Sequence, residues 1–170
     1  MAELLAPLRS IFEYVGEMEN SIALRESQYV WALILTTHLM FLSLFAGLIM
    51  MMDLRLLGIG NMHMPFSQVQ KRLFPWQMVG MAGASVTGVV LVFSDPMRFW
   101  VSIFFWMKMA TMVVAGINAV AFHYITYETI EKWDTAPRPP FGARLAGLLG
   151  LVLWANIIVG GRLIPYNWFL

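Results

Sequence analysis

Three histidines are the side chains in this sequence best able to hold a metal or a prosthetic group. His38 and His123 each sit within an apolar run, and His63 lies in a polar connection, flanked as Met62-His63-Met64. A b-type haem in a membrane bundle takes neutral imidazoles from facing helices and small residues where the porphyrin lies flat. Gly80, Ala84 and Gly88 recur every four residues, with Gly83 and Thr87 beside them, and offer such a wall. Close helix packing is the commoner reason for a small-residue stripe. Depth bears on how the histidines pair. His38 precedes Asp53 by 15 residues, ~22 Å of helical rise, whereas His123 precedes Glu128 by five, ~7.5 Å. Two parallel spans then set the imidazoles ~15 Å apart in depth, where a single haem needs them level. A deeper or tilted third helix restores the His38–His123 pair, and His63 with His123 is better matched in depth.

Copper is the second chemistry these residues suit. Fourteen methionines is a high count, and soft thioethers together with imidazole favour Cu(I). Met62, His63 and Met64 form the sharpest cluster, with Met50-Met51-Met52 just upstream. Methionines elsewhere read as lipid-facing or core filler. A third group is polar and structural. Asp53 and Arg55 stand two apart, so on a helix they face different ways and seek other partners, Arg55 a carboxylate of the third loop. Asn118 and Asn156 are placed to hydrogen-bond between the third and fourth spans, and Lys108 and Arg162 to hold an anionic lipid or a quinone head group. Cysteine is absent, which excludes disulfides and thiolate chemistry. No hydrolase triad, P-loop or catalytically spaced carboxylate pair is present, so hydrolysis and phosphoryl transfer are not expected. At most the chain is a redox component.

These residues must be positioned by a membrane scaffold. Of 170 residues, 59% are hydrophobic and 12% charged, against ~25% charged in soluble domains. A helix crosses the hydrocarbon core in ~20 residues, so four spans fit. The apolar runs place them at about 29–52, 76–93, 100–127 and 144–164. Tyr29 and Trp31 open the first as interfacial aromatics, and Pro75 closes loop one, residues 53–75. The third run is long for one crossing and is interrupted by Lys108. It reads as an interfacial segment over residues 97–107, with Lys108 snorkelling where the crossing begins. Ahead of the spans, Leu4, Leu8, Ile11, Phe12 and Val15 share one helical face, and Glu3, Arg9, Glu13 and Glu17 lie opposite. That predicts a short amphipathic helix over residues 4–18, packed on the bundle or on a partner subunit, with Asn20 or Ser21 as the N-cap of the next helix. The first 29 residues hold seven charges and no apolar h-region, so no cleavable signal peptide is expected.

The expected fold is therefore all-α: one integral membrane domain over residues 1–170, a four-helix bundle with an N-terminal amphipathic helix. Its partner is the lipid bilayer, and a net charge of +1 gives no reason to expect nucleic acid. Loops one and three hold Arg55, Lys71, Arg72, Lys132, Arg138 and Arg144. The positive-inside rule puts them in the cytoplasm and both termini in the periplasm.

Several elements carry a family resemblance. Leu24-Arg25-Glu26-Ser27, Thr37-His38, Asp53-Leu54-Arg55-Leu56-Leu57-Gly58, the segment from Lys108 through Asn118 to His123, and Gly161-Arg162-Leu163-Ile164 follow in order. Over about residues 22–166 they resemble a family of uncharacterised four-helix bacterial inner-membrane proteins with a DLRLLG element. That family is distantly similar to the membrane domain of copper-resistance D proteins and, more loosely, to b-type cytochrome bundles. The resemblance implies a multi-pass protein of the bacterial inner membrane. It leaves three functions as expectations. The first is a b-haem electron-transfer or redox-accessory protein, with His123 and either His38 or His63 as ligands. The second is a cofactor-free structural subunit or assembly factor of a membrane complex, or a homo-oligomer. The third is copper handling through Met62, His63 and Met64.

Overall fold

The computed structural model describes residues 2–60, 63–136 and 138–166. Among them the chain is helical throughout, with no strand. Helix α1 spans Ala2–Gly16, α2 Glu19–Glu26, α3 Gln28–Leu56 and α4 Phe66–Ser94. A short α5, Pro96–Val101, leads to α6, Ile103–Ala121, which runs on through a π turn (Phe122–Thr126) and a 3-10 segment (Tyr127–Lys132). Helix α7 spans Phe141–Leu163. Four helical stretches, Gln28–Leu56, Phe66–Ser94, Ile103–Lys132 and Phe141–Leu163, are long and apolar enough to cross a bilayer. At ~1.5 Å per residue, the 29 residues of α3 reach ~43 Å, more than the ~30 Å hydrocarbon core. Only 6–22% of each apolar window is buried within the protein, so most apolar side chains point outward, as lipid-facing ones do.

Local chemistry moves several boundaries away from the sequence expectation. Ser27, rather than Asn20 or Ser21, caps α3, its side chain accepting from the Val30 amide at 3.2 Å. Ser21 is instead fully buried and donates to the Phe93 carbonyl at 2.8 Å, tying α2 to the end of α4. Pro75 lies inside α4 and does not end a loop, although its ring removes the bond to the Lys71 carbonyl. The helix starts earlier because loop three caps it. Asp134 accepts the Ser67 amide at 2.8 Å and the Ser67 hydroxyl at 2.6 Å, and its carbonyl takes the Phe66 amide. The expected interfacial segment 97–107 is shorter, because the chain breaks at Ser102 and the long helix begins at Ile103. Buried Ser102 secures that break, donating to the Ile164 carbonyl at 3.4 Å.

The four long helices do not close into a ring. Helix α3 packs against both α4 and α7, and α7 packs against α6, but α4 and α6 make no extensive contact. The order across the bundle is α4–α3–α7–α6, with an open seam between its outer helices. The α3–α4 contact uses the small-residue stripe. A side chain at Gly80 would meet the Phe45 backbone at 2.9 Å, and one at Gly83 would strike the Phe41 ring. At the end formed by loops one and three, a compact core gathers Met52, Leu56, Phe66, Val69, Trp133 and Ala143, with Phe122 and Tyr127 against it. At the opposite end α1 lies against α5, with Phe12 and Trp100 ring centroids 5.1 Å apart. Its apolar face is only half covered by protein. Phe12 and Val15 are half-buried while Leu8 and Ile11 remain exposed, and the side chains of Glu3 and Leu4 lie outside the described ones.

Candidate functional site

The seam encloses a cavity of about 520 Å³ near the end that carries both termini. Helix α3 contributes His38, α4 Ala84, Ser85 and Gly88, and α6 Phe105, Lys108, Met109 and Met112. Ile11, Phe12 and Val15 of α1 close one end of it. His38 and Lys108 are the only ionisable residues among those lining it, and the remaining wall is almost wholly apolar.

His38 is 9% exposed and held against α4. Its Nδ1 lies 3.0 Å from Thr87 Oγ1, and Thr87 also lies 2.6 Å from the Gly83 carbonyl. A carbonyl only accepts, so the single hydroxyl proton of Thr87 goes to Gly83. Nδ1 is then the donor toward Thr87 and Nε2 keeps its lone pair. Gly88 makes room for the ring, since a side chain there would meet His38 Cε1 at 3.2 Å. The stripe therefore packs α4 on α3 through Gly80 and Gly83, and one turn later it seats the imidazole.

Lys108 enters from the second turn of α6. Its aliphatic stem runs over Gly160 and its amine over Gly161, where an added side chain would approach Nζ to 3.3 Å. No hydrogen bond or ion pair satisfies this amine among the described residues. The side chain of Lys108 thus lines the cavity, one turn into the long helix that begins at Ile103. A cation in hydrocarbon is costly without a partner and marks a place where a polar or anionic group is bound. Adjacent glycines at 160 and 161, facing a lysine in the preceding span, are the sequence signal for this placement.

The remaining candidates lie elsewhere. His123 stands 15 residues beyond Lys108 along the third span, ~22 Å of rise, and the structure does not bring it to His38. It stacks on Tyr127, ring centroids 5.2 Å apart, at the end built by loops one and three. Exposed His63 lies at that same end, and Met64 packs half-buried on the core there. Met62 lies outside the described residues, and no group of three His, Cys, Asp or Glu suited to a metal occurs among the described ones.

Asp53, near the end of α3, finds its surroundings on another helix. It is 8% exposed and wedged against α7, where a side chain at Gly147 would come within 2.6 Å of its carbonyl oxygen and one at Gly150 would land on its carboxylate. The three-residue spacing of these two glycines on one face of α7 is the sequence signal for this contact. Arg55, 2% exposed, donates to the Met64 carbonyl at 3.1 Å and lies within electrostatic reach of Asp134, a loop-three carboxylate that also grips Ser67. Asn118 and Asn156 do join α6 to α7, through the Ala146 carbonyl at 3.0 Å and the Thr111 hydroxyl at 3.2 Å. Arg162 is exposed in the last turn of α7.

What the cavity can do chemically is limited and specific. It can accept a flat or elongated apolar molecule from the bilayer side and present one imidazole nitrogen and one ammonium to its polar head. Neither a curated protein nor a solved structure matches the chain. A family profile spans residues 11–167, nearly the whole of it, and the chain belongs to that family, DUF6644, a family of unknown function.

Proposed function

We propose that the protein is a redox-accessory component of a bacterial inner membrane that binds a quinone-type carrier in the seam between α4 and α6. The observation that carries this reading is the pairing of His38 and Lys108 in one apolar, laterally placed cavity, with no carboxylate among its lining residues. A quinone ring carbonyl accepts from the Lys108 ammonium, and a quinol hydroxyl donates to the Nε2 lone pair that the Thr87 contact leaves open. The hydrocarbon tail follows Met109, Met112 and Val89 along the seam toward lipid. The resemblance to electron-transfer bundles points the same way.

A b-type haem is the second reading, favoured by the same tautomer: a neutral imidazole with a free Nε2 is the form that ligates iron. With His123 ~22 Å away along the span, such a haem has His38 as its only imidazole. Extraction of the protein purified in mild detergent separates the two. Quinone should co-purify, with no Soret band in the visible spectrum, and His38→Ala or Lys108→Met should lower its occupancy about tenfold, the effect of losing one hydrogen bond. A Soret band lost in His38→Ala would establish the haem reading. Fatty acid alone in the extract would sink both.

A further inference from the structure

A second concave site lies at the opposite end of the bundle, where loops one and three meet. Gly58 closes α3 with φ +84, a left-handed conformation that glycine adopts without strain, and packs on Pro139, whose Cδ would lie 3.6 Å from an added side chain. Around this contact Leu57, Gly58, Arg138, Pro139 and Arg144 line a polar cavity of about 440 Å³. Arg138 and Arg144 lie on either side of the Pro139-Pro140 pair that precedes α7, and both residues line this one space. Neither guanidinium has a hydrogen bond or ion pair among the described residues, and no lining residue is acidic. Asp134, the acid nearest in sequence to Arg138, is committed to Ser67.

Two planar forks with ten N–H donors between them match the oxygens of a phosphate group better than any single-point cation does. The position of the site selects the source of that phosphate. It lies beside the last turn of one long apolar helix and the first turn of another, and helices of that length, crossing a bilayer, put their ends among the head groups. Phe141, 77% exposed, and Ile59, 58% exposed, stand next to it as apolar side chains turned outward. An acyl chain has a surface to lie on there, which a soluble phosphate does not use. We infer that Arg138 and Arg144 form a head-group site for an anionic phospholipid of the adjacent leaflet. This inference is independent of the His38–Lys108 cavity and of any cofactor in it.

Native mass spectrometry after delipidation, with phosphatidylglycerol or phosphatidylcholine added back, tests it. The wild type should retain one phosphatidylglycerol at least tenfold more strongly than phosphatidylcholine. Arg138→Gln/Arg144→Gln should lose that preference with unchanged thermal unfolding, both side chains being exposed. Ten millimolar inorganic phosphate should not displace the lipid. Equal retention of the two lipids by the wild type, or an undiminished preference in the double variant, overturns the site. Arginine-dependent binding of inorganic phosphate without any lipid preference overturns the lipid assignment in favour of a soluble anion.

Discussion

At the scale of single residues, the decisive feature is a cation with no hydrogen-bonding or charged partner among the described residues. Lys108 extends into an apolar cavity with its amine over Gly161, and the only other ionisable group lining that cavity is His38. The burial of such a group weakens the fold unless a ligand compensates it, so function and stability should move in opposite directions on mutation. Lys108→Met keeps the length and apolar stem of the side chain and removes the charge. We expect its unfolding midpoint in detergent to rise by a few degrees while affinity for a quinone analogue falls about tenfold, the scale of one charge-assisted hydrogen bond. A variant both less stable and unimpaired in binding would show that the lysine is structural. Thr87 acts at one remove, through the tautomer of His38 that it fixes.

At the scale of elements, glycines decide which helix faces meet. On α4, Gly80 and Gly83 admit the backbone and ring of α3, and on α7, Gly147 and Gly150 admit Asp53. Without water in the bilayer core, close packing of this kind is the main attraction between helices. Replacing Gly150 by Ala puts a methyl group on the Asp53 carboxylate, so that the buried side chain must turn or the α3–α7 pair separate to accept it. We expect Gly150→Ala to destabilise the protein by ~1–3 kcal/mol, the usual range for overpacking. Gly116→Ala, where nothing lies within 4 Å of the added carbon, should be neutral or slightly stabilising. Denaturation of both variants in mixed micelles reads the difference, and equal stability would remove Gly150 from the packing argument. The same comparison separates helix packing from ligand binding, because Gly150 is not among the residues lining the seam cavity and its variant should bind as the wild type does once folded.

For the molecule as a whole, the order α4–α3–α7–α6 makes the two ends and the two sides unlike each other. One side is closed by α3 and α7 and the other is a seam. One end carries both termini, α1, α2 and α5, and the other carries the Trp133 and Phe66 core with most of the Lys and Arg. The charge asymmetry predicts that the core end faces the cytoplasm. Because the chain has no cysteine, single cysteines report on this directly. In intact bacteria a membrane-impermeant maleimide should label Glu19→Cys and leave Lys132→Cys unlabelled, with the reverse after inside-out vesicles are made. The opposite pattern would invert the orientation and place the Arg138–Arg144 site in the outer leaflet.

The sequence by itself determined the class of protein, because a bilayer imposes its thickness and its lack of hydrogen-bonding partners directly on composition. Four apolar runs near the required length have few alternatives. The interhelical asparagines and the packing use of Gly80 were legible for the same reason: a polar or small residue inside a span has few other roles. Boundaries were less legible, since Pro75 and the start of α4 depend on a cap supplied by Asp134 from 67 residues away. What only the tertiary structure decided is which polar residues share a space. Depth arithmetic on single helices already strained the His38–His123 pair. That Lys108 rather than His123 reaches the level of His38 comes from where α6 starts, at Ser102, and from which of the outer helices fail to touch. Both are outcomes of packing among four helices, and no single run of residues encodes them.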